Sequence, residues 1–246
     1  MLFNKDLLPL KSQYKKNVYR IVETQEYAAT SKLVDDFEEQ HLLEQLLDGV
    51  KPPYRPDTIG RHYLIATPFR YPPLKYGSRF GDTTMPSYFY GCEEVDTTLA
   101  ECAFYRFVFL SDMATPYSKP IRSEHMTFSV YVESNDCFDL TAIIDPQLSC
   151  VIKSPSDYRT TQAIGKYATL ELGVDTLRYT SARSTSNGIN VAISQPSVIK
   201  SQQPENQQLW QCRSYSETIS FSGVGTEPIN FYKESFLVNG QLPKLA

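Results

Sequence analysis

Apolar residues in this chain switch between helical and strand spacing. Leu33, Val34, Phe37, Leu42, Leu43, Leu46 and Leu47 fall at helical spacing, with Thr30 or Ser31 placed to cap the start and Gly49 to end it. Pro52, Pro53 and Pro56 then predict a rigid connector. A second helix follows Asp96, a capping residue, and buries Leu99, Ala100, Ala103, Phe104, Phe107 and Val108. A third runs roughly from Ser156 to Leu172 and stops at Gly173. Period-two alternation predicts a strand from Met126 to Glu133, with Met126, Phe128, Val130 and Val132 on one face. Shorter strands are expected at Val18–Glu23, at His62–Thr67 (HYLIAT), around Leu140 (CFDLTA), in LRYTSAR and in INVAIS, with a turn at Thr185–Gly188 between the last two. TISFSGV and INFYK supply two more near the end, and residues 1–16 read as a loosely ordered arm. Strands mixed with a few helices, without regular βαβ alternation, imply an α+β fold with small mixed or antiparallel sheets.

Composition narrows the classes. The 246 residues suffice for one substantial core, and a hydrophobic content of 41% argues against disorder. The net charge of −4 argues against nucleic acid as the main partner, and Lys11, Lys15, Lys16 and Arg20 read as a solvated local exception. Five cysteines (Cys92, Cys102, Cys137, Cys150 and Cys212), with no CxxC pair, favour a reducing cytoplasm over a disulfide framework. The three histidines (His41, His62 and His125) form no ligand pattern, so no metal site is expected. The N-terminus is too charged for a signal peptide, and no apolar run reaches membrane-spanning length.

Candidate chemistry centres on Arg79, Tyr90 and Glu101, spaced eleven residues apart. Arg79 follows a Gly-Ser turn, Tyr90 ends an aromatic strand, and Glu101 falls in the first turns of a helix that buries its neighbours. A charge beside so apolar a stretch is costly without a partner or a task. A guanidinium suits phosphate, an aromatic face suits a flat heterocycle, and a carboxylate suits a ribose, so the set fits a dinucleotide. Ser181 and Arg183 share a strand face in YTSAR, and Asn190 lies beyond a Ser-Asn-Gly turn. No GxSxG, P-loop or GxGxxG occurs.

GSRF at Gly77–Phe80, the Tyr90-Gly91 pair, TLAE at Thr98–Glu101 and YTSAR at Tyr179–Arg183 together resemble the RES domain, named for its Arg, Glu and Ser. The likeness runs over most of the chain, from about Tyr19 to Trp210. It assigns Arg79, Glu101 and Ser181 to those three letters, with Tyr90 as the accompanying aromatic. It implies a single domain folded like ADP-ribosyltransferase toxins, NAD+ as substrate without further cofactor, and, for many relatives, a toxin role opposed by a partner antitoxin. On that basis residues 1–58 form an N-terminal helical region packed on the core, 59–215 the catalytic core, and 216–246 strands completing the same domain. The N-terminal region and the tail after Ser194 depart from the family pattern.

The chemistry so implied is cleavage of the nicotinamide–ribose bond through an oxocarbenium-like state. Nicotinamide leaves as a neutral ring, so no general acid is needed, in keeping with a site poor in histidine. Arg79 would hold the pyrophosphate, Tyr90 the nicotinamide and Glu101 the ribose. Ser181, Arg183 and Asn190 would bind a ribose hydroxyl or a phosphate. Water as acceptor makes a glycohydrolase; inorganic phosphate as co-substrate makes a phosphorylase. The rival readings are a protein ADP-ribosyltransferase, a delivered effector, and a nucleotide-binding module without turnover.

Overall fold

The segment KSQYKKNVYRIVET, with only Tyr14 and Val18 fully buried, forms strand β1 (Lys11–Thr24). The computed structural model describes residues 10–24, 33–115 and 119–244. Residues 11–16, expected in a loose arm, are thus the first half of a long strand. It runs antiparallel to β3 (Ile121–Asp139), from Lys11 opposite Phe138 to Thr24 opposite Glu124. The lysines that made the segment look solvated are paired across strands: Lys11 with Asp136 at 2.5 Å and Lys15 with Glu133 at 2.7 Å.

β3 also corrects two expectations. The strand predicted at Met126–Glu133 is longer at both ends, and the one predicted around Leu140 is its continuation through Cys137–Asp139, followed by a 3-10 turn at Leu140–Ala142. Its last residues pair in parallel with β4 (Thr176–Thr180), which pairs with β5 (Ile189–Ile193). β5 pairs with β2 (Phe89–Cys92), and β2 returns to β1 at Tyr19 opposite Cys92. Since β1 also pairs with β3, these five strands close into a ring. Gly91 permits the closure: a Cβ there would stand 2.5 Å from Val18 Cγ1 and 2.6 Å from the Tyr19 carbonyl oxygen. On the edge of β3 opposite β1, ahead of the residues that pair with β4, β6 (Glu205–Ser214) joins and is followed by β7 (Thr218–Gly223) and β8 (Ile229–Tyr232), all antiparallel. The fold is α+β, on one eight-stranded, mostly antiparallel sheet.

Five α-helices are described. In α1 (Phe37–Gly49), Asp36 caps the first turn by accepting from the Glu38 and Glu39 N–H groups. The expected caps Thr30 and Ser31 lie outside the described residues. Its leucines do not pack on the core as expected, because none of its residues is buried. The segment predicted as strand HYLIAT is helix α2 (Tyr63–Arg70): His62 is its N-cap, accepting from the Leu64 N–H, and Ile65, Ala66 and Phe69 face inward. α3 (Val95–Ser111) matches the predicted second helix, although Glu94 rather than Asp96 holds the N-cap position. α4 (Pro146–Ile152) was not foreseen, and α5 (Arg159–Lys166) runs into a π-helical turn at Tyr167–Glu171 within the third predicted helix.

The core has three parts. Phe89, Phe128, Val130, Val132, Val191 and Ile193 fill one cluster with α2. Trp210, Cys212, Ile219 and Phe221 of β6 and β7 meet Leu99, Ala103, Phe104 and Phe107 of α3. Phe80, Phe138, Ile152, Ile164, Leu177 and Tyr179 join the GSRF turn to α4, α5 and β4. The second and third clusters anchor α3, which carries Glu101, and the GSRF turn, which carries Arg79.

Candidate active site

A cavity of about 550 Å³ opens between β1, α3 and the GSRF turn, and Arg79, Tyr90, Glu101 and Asn190 all line it. The three residues spaced evenly in sequence therefore do converge, from a turn, a strand and a helix.

Glu101 sits in the second turn of α3, among the buried Thr98, Leu99, Ala100, Ala103 and Phe104. Its Oε1 accepts from Ser181 Oγ at 2.7 Å and from Asn190 Nδ2 at 2.6 Å. Both donors are oriented from behind. Ser181 Oγ accepts the backbone N–H groups of Arg183 at 3.0 Å and Ser184 at 3.1 Å, which occupy its lone pairs and leave its single proton for Glu101. Asn190 Oδ1 accepts the Cys92 thiol at 3.2 Å, which turns the amide N–H₂ toward the carboxylate. Burial foremost, with the Glu101 charge second, pushes the Cys92 thiol up, so it stays protonated and keeps that donor role. Oε2 of Glu101 accepts nothing from the described residues and is the carboxylate's remaining acceptor.

Tyr90 is held by its hydroxyl. Its OH lies 2.8 Å from Ser78 Oγ and accepts the Phe80 N–H at 3.2 Å, so the phenol braces the turn that carries Arg79. Burial raises its pKa, and the hydroxyl remains neutral. What Tyr90 offers the cavity is its ring. The turn itself needs Gly77 at φ +72°, and closes with Ser78 N–H donating to the Gly81 carbonyl at 2.7 Å.

Arg79 leans over the Tyr158 ring, 4.4 Å from its centroid, and lies 5.7 Å from that of Tyr179. Its Nη1 donates to the carbonyls of Ile152 at 2.9 Å and Ser154 at 3.1 Å, at the C-terminal end of α4 where carbonyls lack helical partners. Among the described residues no carboxylate pairs with it. The guanidinium is thus fixed in place while its charge is unanswered, an arrangement suited to an anion.

Ser181 and Arg183 both lie past the end of β4, in the turn, rather than on a strand face as expected. Ser181 reaches the cavity through Glu101. Arg183 does not line it: its guanidinium is 3.5 Å from the Phe104 centroid, is buried, and donates to the Pro155 carbonyl. It stands behind the site, tying the turn to α3 and to the segment before α5.

Arg20 was missed. It was grouped with the lysines of β1, yet it lines the cavity, donates to the Tyr90 carbonyl at 2.6 Å, and keeps Nε buried without a partner among the described residues. Burial lowers its pKa to about 10, which still leaves it charged at neutral pH. Even parity with Tyr14 and Val18 placed it on the inward face of β1. Cys102 also lines the cavity, but burial foremost pushes its thiol up to about 12, which removes it as a nucleophile at neutral pH. No cluster of His, Cys, Asp or Glu suited to a metal ion occurs among the described residues, and no described helix is long and apolar enough to cross a membrane.

Arg79 on a turn and Glu101 on the following helix thus meet at one cavity, with Ser181, after a later strand, holding the carboxylate from behind. Residues 52–213 match the RES domain, and the chain belongs to the RES domain family. No curated protein matches it. Among solved structures, the M.tuberculosis MbcT-MbcA toxin-antitoxin complex has a chain that aligns at 11% identity over 83% of this chain and 91% of that one, with a TM-score of 0.45, too slight a likeness to bear on mechanism.

Proposed function

We propose that this protein degrades NAD+ by breaking the nicotinamide–ribose bond. The observation that carries the reading is the Glu101 carboxylate, held at Oε1 by Ser181 and Asn190, in the same cavity as the ring of Tyr90 and an Arg79 that pairs with no carboxylate among the described residues. A carboxylate fixed in this way does not need to reorganise when positive charge develops on the ribose, and such preorganised charge is the largest lever an enzyme has. Nicotinamide departs with the electron pair of the C–N bond and becomes neutral, so the site requires no acid. Arg79, with Arg20 as a second cation at the cavity wall, supports binding of the pyrophosphate. The Tyr90 face supports the planar ring, and together these present the bond in reactive geometry. The acceptor is water, giving ADP-ribose, or inorganic phosphate, giving its 1-phosphate.

Family membership supports a toxin whose activity is restrained by a cognate antitoxin, since a cytoplasmic enzyme that drains NAD+ harms its own cell unless covered. The test incubates purified protein with NAD+, with and without phosphate, and follows nicotinamide and the sugar product by chromatography. Nicotinamide release is expected, and its dependence on phosphate assigns the acceptor. Intact NAD+ under both conditions would overturn the proposal, and ADP-ribose attached to protein would reassign the acceptor to a side chain.

A further inference from the structure

A second cavity, of about 740 Å³, adjoins the first, and Ile21, Cys102 and Tyr105 line both. The two form one trough between β1 and α3. Along α3 the walls follow helical spacing: Thr98, Glu101, Cys102 and Tyr105 in the first cavity, then Arg106 and Phe109 in the second, with Met113 just past the helix end. Roughly 12 Å of helix separates Glu101 from Phe109. Along β1 the first cavity takes Tyr19 and Arg20, the second Val22 and Glu23.

The character changes along the trough. The second cavity carries Arg106, Lys119 and Arg122 against a single carboxylate, Glu23. Arg106 is answered by Glu23 at 3.1 Å, whereas Lys119 and Arg122, both exposed, make no ion pair with the described residues. His125, on the same wall, is neutral at pH 7 because burial, then Arg106, hold its pKa down to about 4. Phe109, Met113 and Ile121 give the same space apolar walls. A cavity with apolar sides and two unanswered cations at its rim suits a flat ring bearing an anionic substituent.

Tyr105 fixes which end of a dinucleotide would reach it. The Tyr105 phenol lines the first cavity with Arg79, Tyr90 and Glu101 and forms the threshold of the second, which neither Tyr90 nor Glu101 borders. With the nicotinamide ribose at Glu101 and the pyrophosphate at Arg79, the chain of the ligand continues past Tyr105. From this we infer that the second cavity is an adenosine subsite and that Lys119 and Arg122 recognise a phosphate on the adenosine ribose, so that the enzyme takes the 2′-phosphorylated dinucleotide, NADP+, in preference to NAD+. This rests on the reading given under Proposed function. A guanidinium and an ammonium facing a ribose 2′-oxygen are the usual means of selecting that phosphate.

The binding test compares 2′,5′-ADP with 5′-AMP by calorimetry at fixed low ionic strength, on wild type, Lys119→Ala and Arg122→Ala. Wild type should hold 2′,5′-ADP roughly tenfold tighter or better, as one or two charge-assisted contacts provide, and each substitution should shrink that ratio. Nicotinamide release should likewise show a higher kcat/KM for NADP+ than for NAD+, with the ratio falling in both variants. Equal affinity for the two nucleotides in wild type, a ratio untouched by the substitutions, or inorganic phosphate competing as well as 2′,5′-ADP would overturn the subsite. The two readings fail separately. Nicotinamide release without 2′-phosphate preference sinks only the subsite, whereas 2′-phosphate preference in binding without release from any dinucleotide sinks only the reaction.

Discussion

Glu101→Gln separates the chemistry of the site from its architecture. In the fold, Oε1 accepts from Ser181 at 2.7 Å and from Asn190 at 2.6 Å, and Oε2 has no described partner. A glutamine that puts its carbonyl oxygen at the Oε1 position keeps both bonds and replaces Oε2 with an amide N–H₂. Each retained bond falls from the charge-assisted range of about 1.5–3 kcal/mol to about 0.5–1.5 kcal/mol. Removing a partly buried charge returns some of that through desolvation. The two effects oppose each other, so stability should change by about 1 kcal/mol or less, about 2–4 °C in Tm for a chain of this size. The rate behaves differently. Loss of one preorganised stabilising group costs on the order of 10²–10³ in kcat, about 2.7–4 kcal/mol. KM for NAD+ should hardly move, because the lost interaction strengthens only as charge develops on the ribose. Nicotinamide release at saturating and limiting NAD+, together with thermal melting, measures all three quantities. A well-folded Glu101→Gln protein with wild-type kcat would refute the carboxylate's role, and one with unchanged kcat but raised KM would make it a binding group alone.

Three further outcomes follow from the same geometry. Arg79→Ala should raise KM for NAD+ roughly 10–100-fold as well as lower kcat, because a charge-assisted contact exists already in the ground state; it should also lower Tm, since the Ile152 and Ser154 carbonyls lose their donor, and Arg79→Lys should recover part of the KM. His125 is buried and neutral, its pKa lowered from 6.5 to about 4, so its contribution to stability is whole above pH 6.5 and is lost as pH falls toward 4, by about 3 kcal/mol; urea unfolding of wild type and His125→Gln across that window should show the steeper slope in wild type, the part common to both coming from carboxylates such as Glu93 and Glu133 whose pKa is lowered in the fold. Gly91→Ala forces a Cβ against Val18 and the Tyr19 carbonyl and should cost about 1–3 kcal/mol in urea unfolding while reducing activity through displacement of Arg20; an unchanged midpoint would mean that β1 and β2 are not in tight contact.

The elements with strong local signals were legible. The apolar stripe of α3 gave both the helix and the anomaly of Glu101 within it, and YTSAR, the Ser-Asn-Gly turn and INVAIS gave the β4–β5 hairpin that delivers Ser181 and Asn190. Elements held by distant partners were not. The first half of β1 is polar because its lysines find Asp136 and Glu133 on a strand more than a hundred residues away, which no local window shows. HYLIAT has strand composition and a proline after it, but the His62 cap and the inward set Ile65, Ala66 and Phe69 favour a short helix that tolerates Pro68. β6 buries only Trp210, Cys212 and Ser214 in alternation, too few apolar residues to stand out in ENQQLWQCRS. In the opposite direction, the leucines of α1 gave a correct helix and a wrong environment, since periodicity reports a face and not what covers it.

The site also shows how side chains that are weak signals taken singly act as one unit. Ser181 contributes one proton, and its lone pairs are spent on two backbone N–H groups of its own turn. Asn190 contributes one N–H, and its oxygen is spent on Cys92, directly opposite it on β2. Tyr90 spends its hydroxyl on the turn that aims Arg79, and Arg79 spends Nη1 on carbonyls beside α4. After this accounting the polar capacity left at the cavity wall is concentrated in an acceptor on Glu101 and in the guanidinium charges of Arg79 and Arg20. Loss of Ser181 should therefore act through the direction of the carboxylate before its charge. Ser181→Ala leaves two backbone N–H groups without their acceptor and lets Glu101 rotate, so its kcat defect should approach that of Glu101→Gln while its Tm falls further. In the double variant the two kcat losses should not multiply, because both remove the same held charge. Multiplying losses would assign Ser181 a role of its own at the ribose.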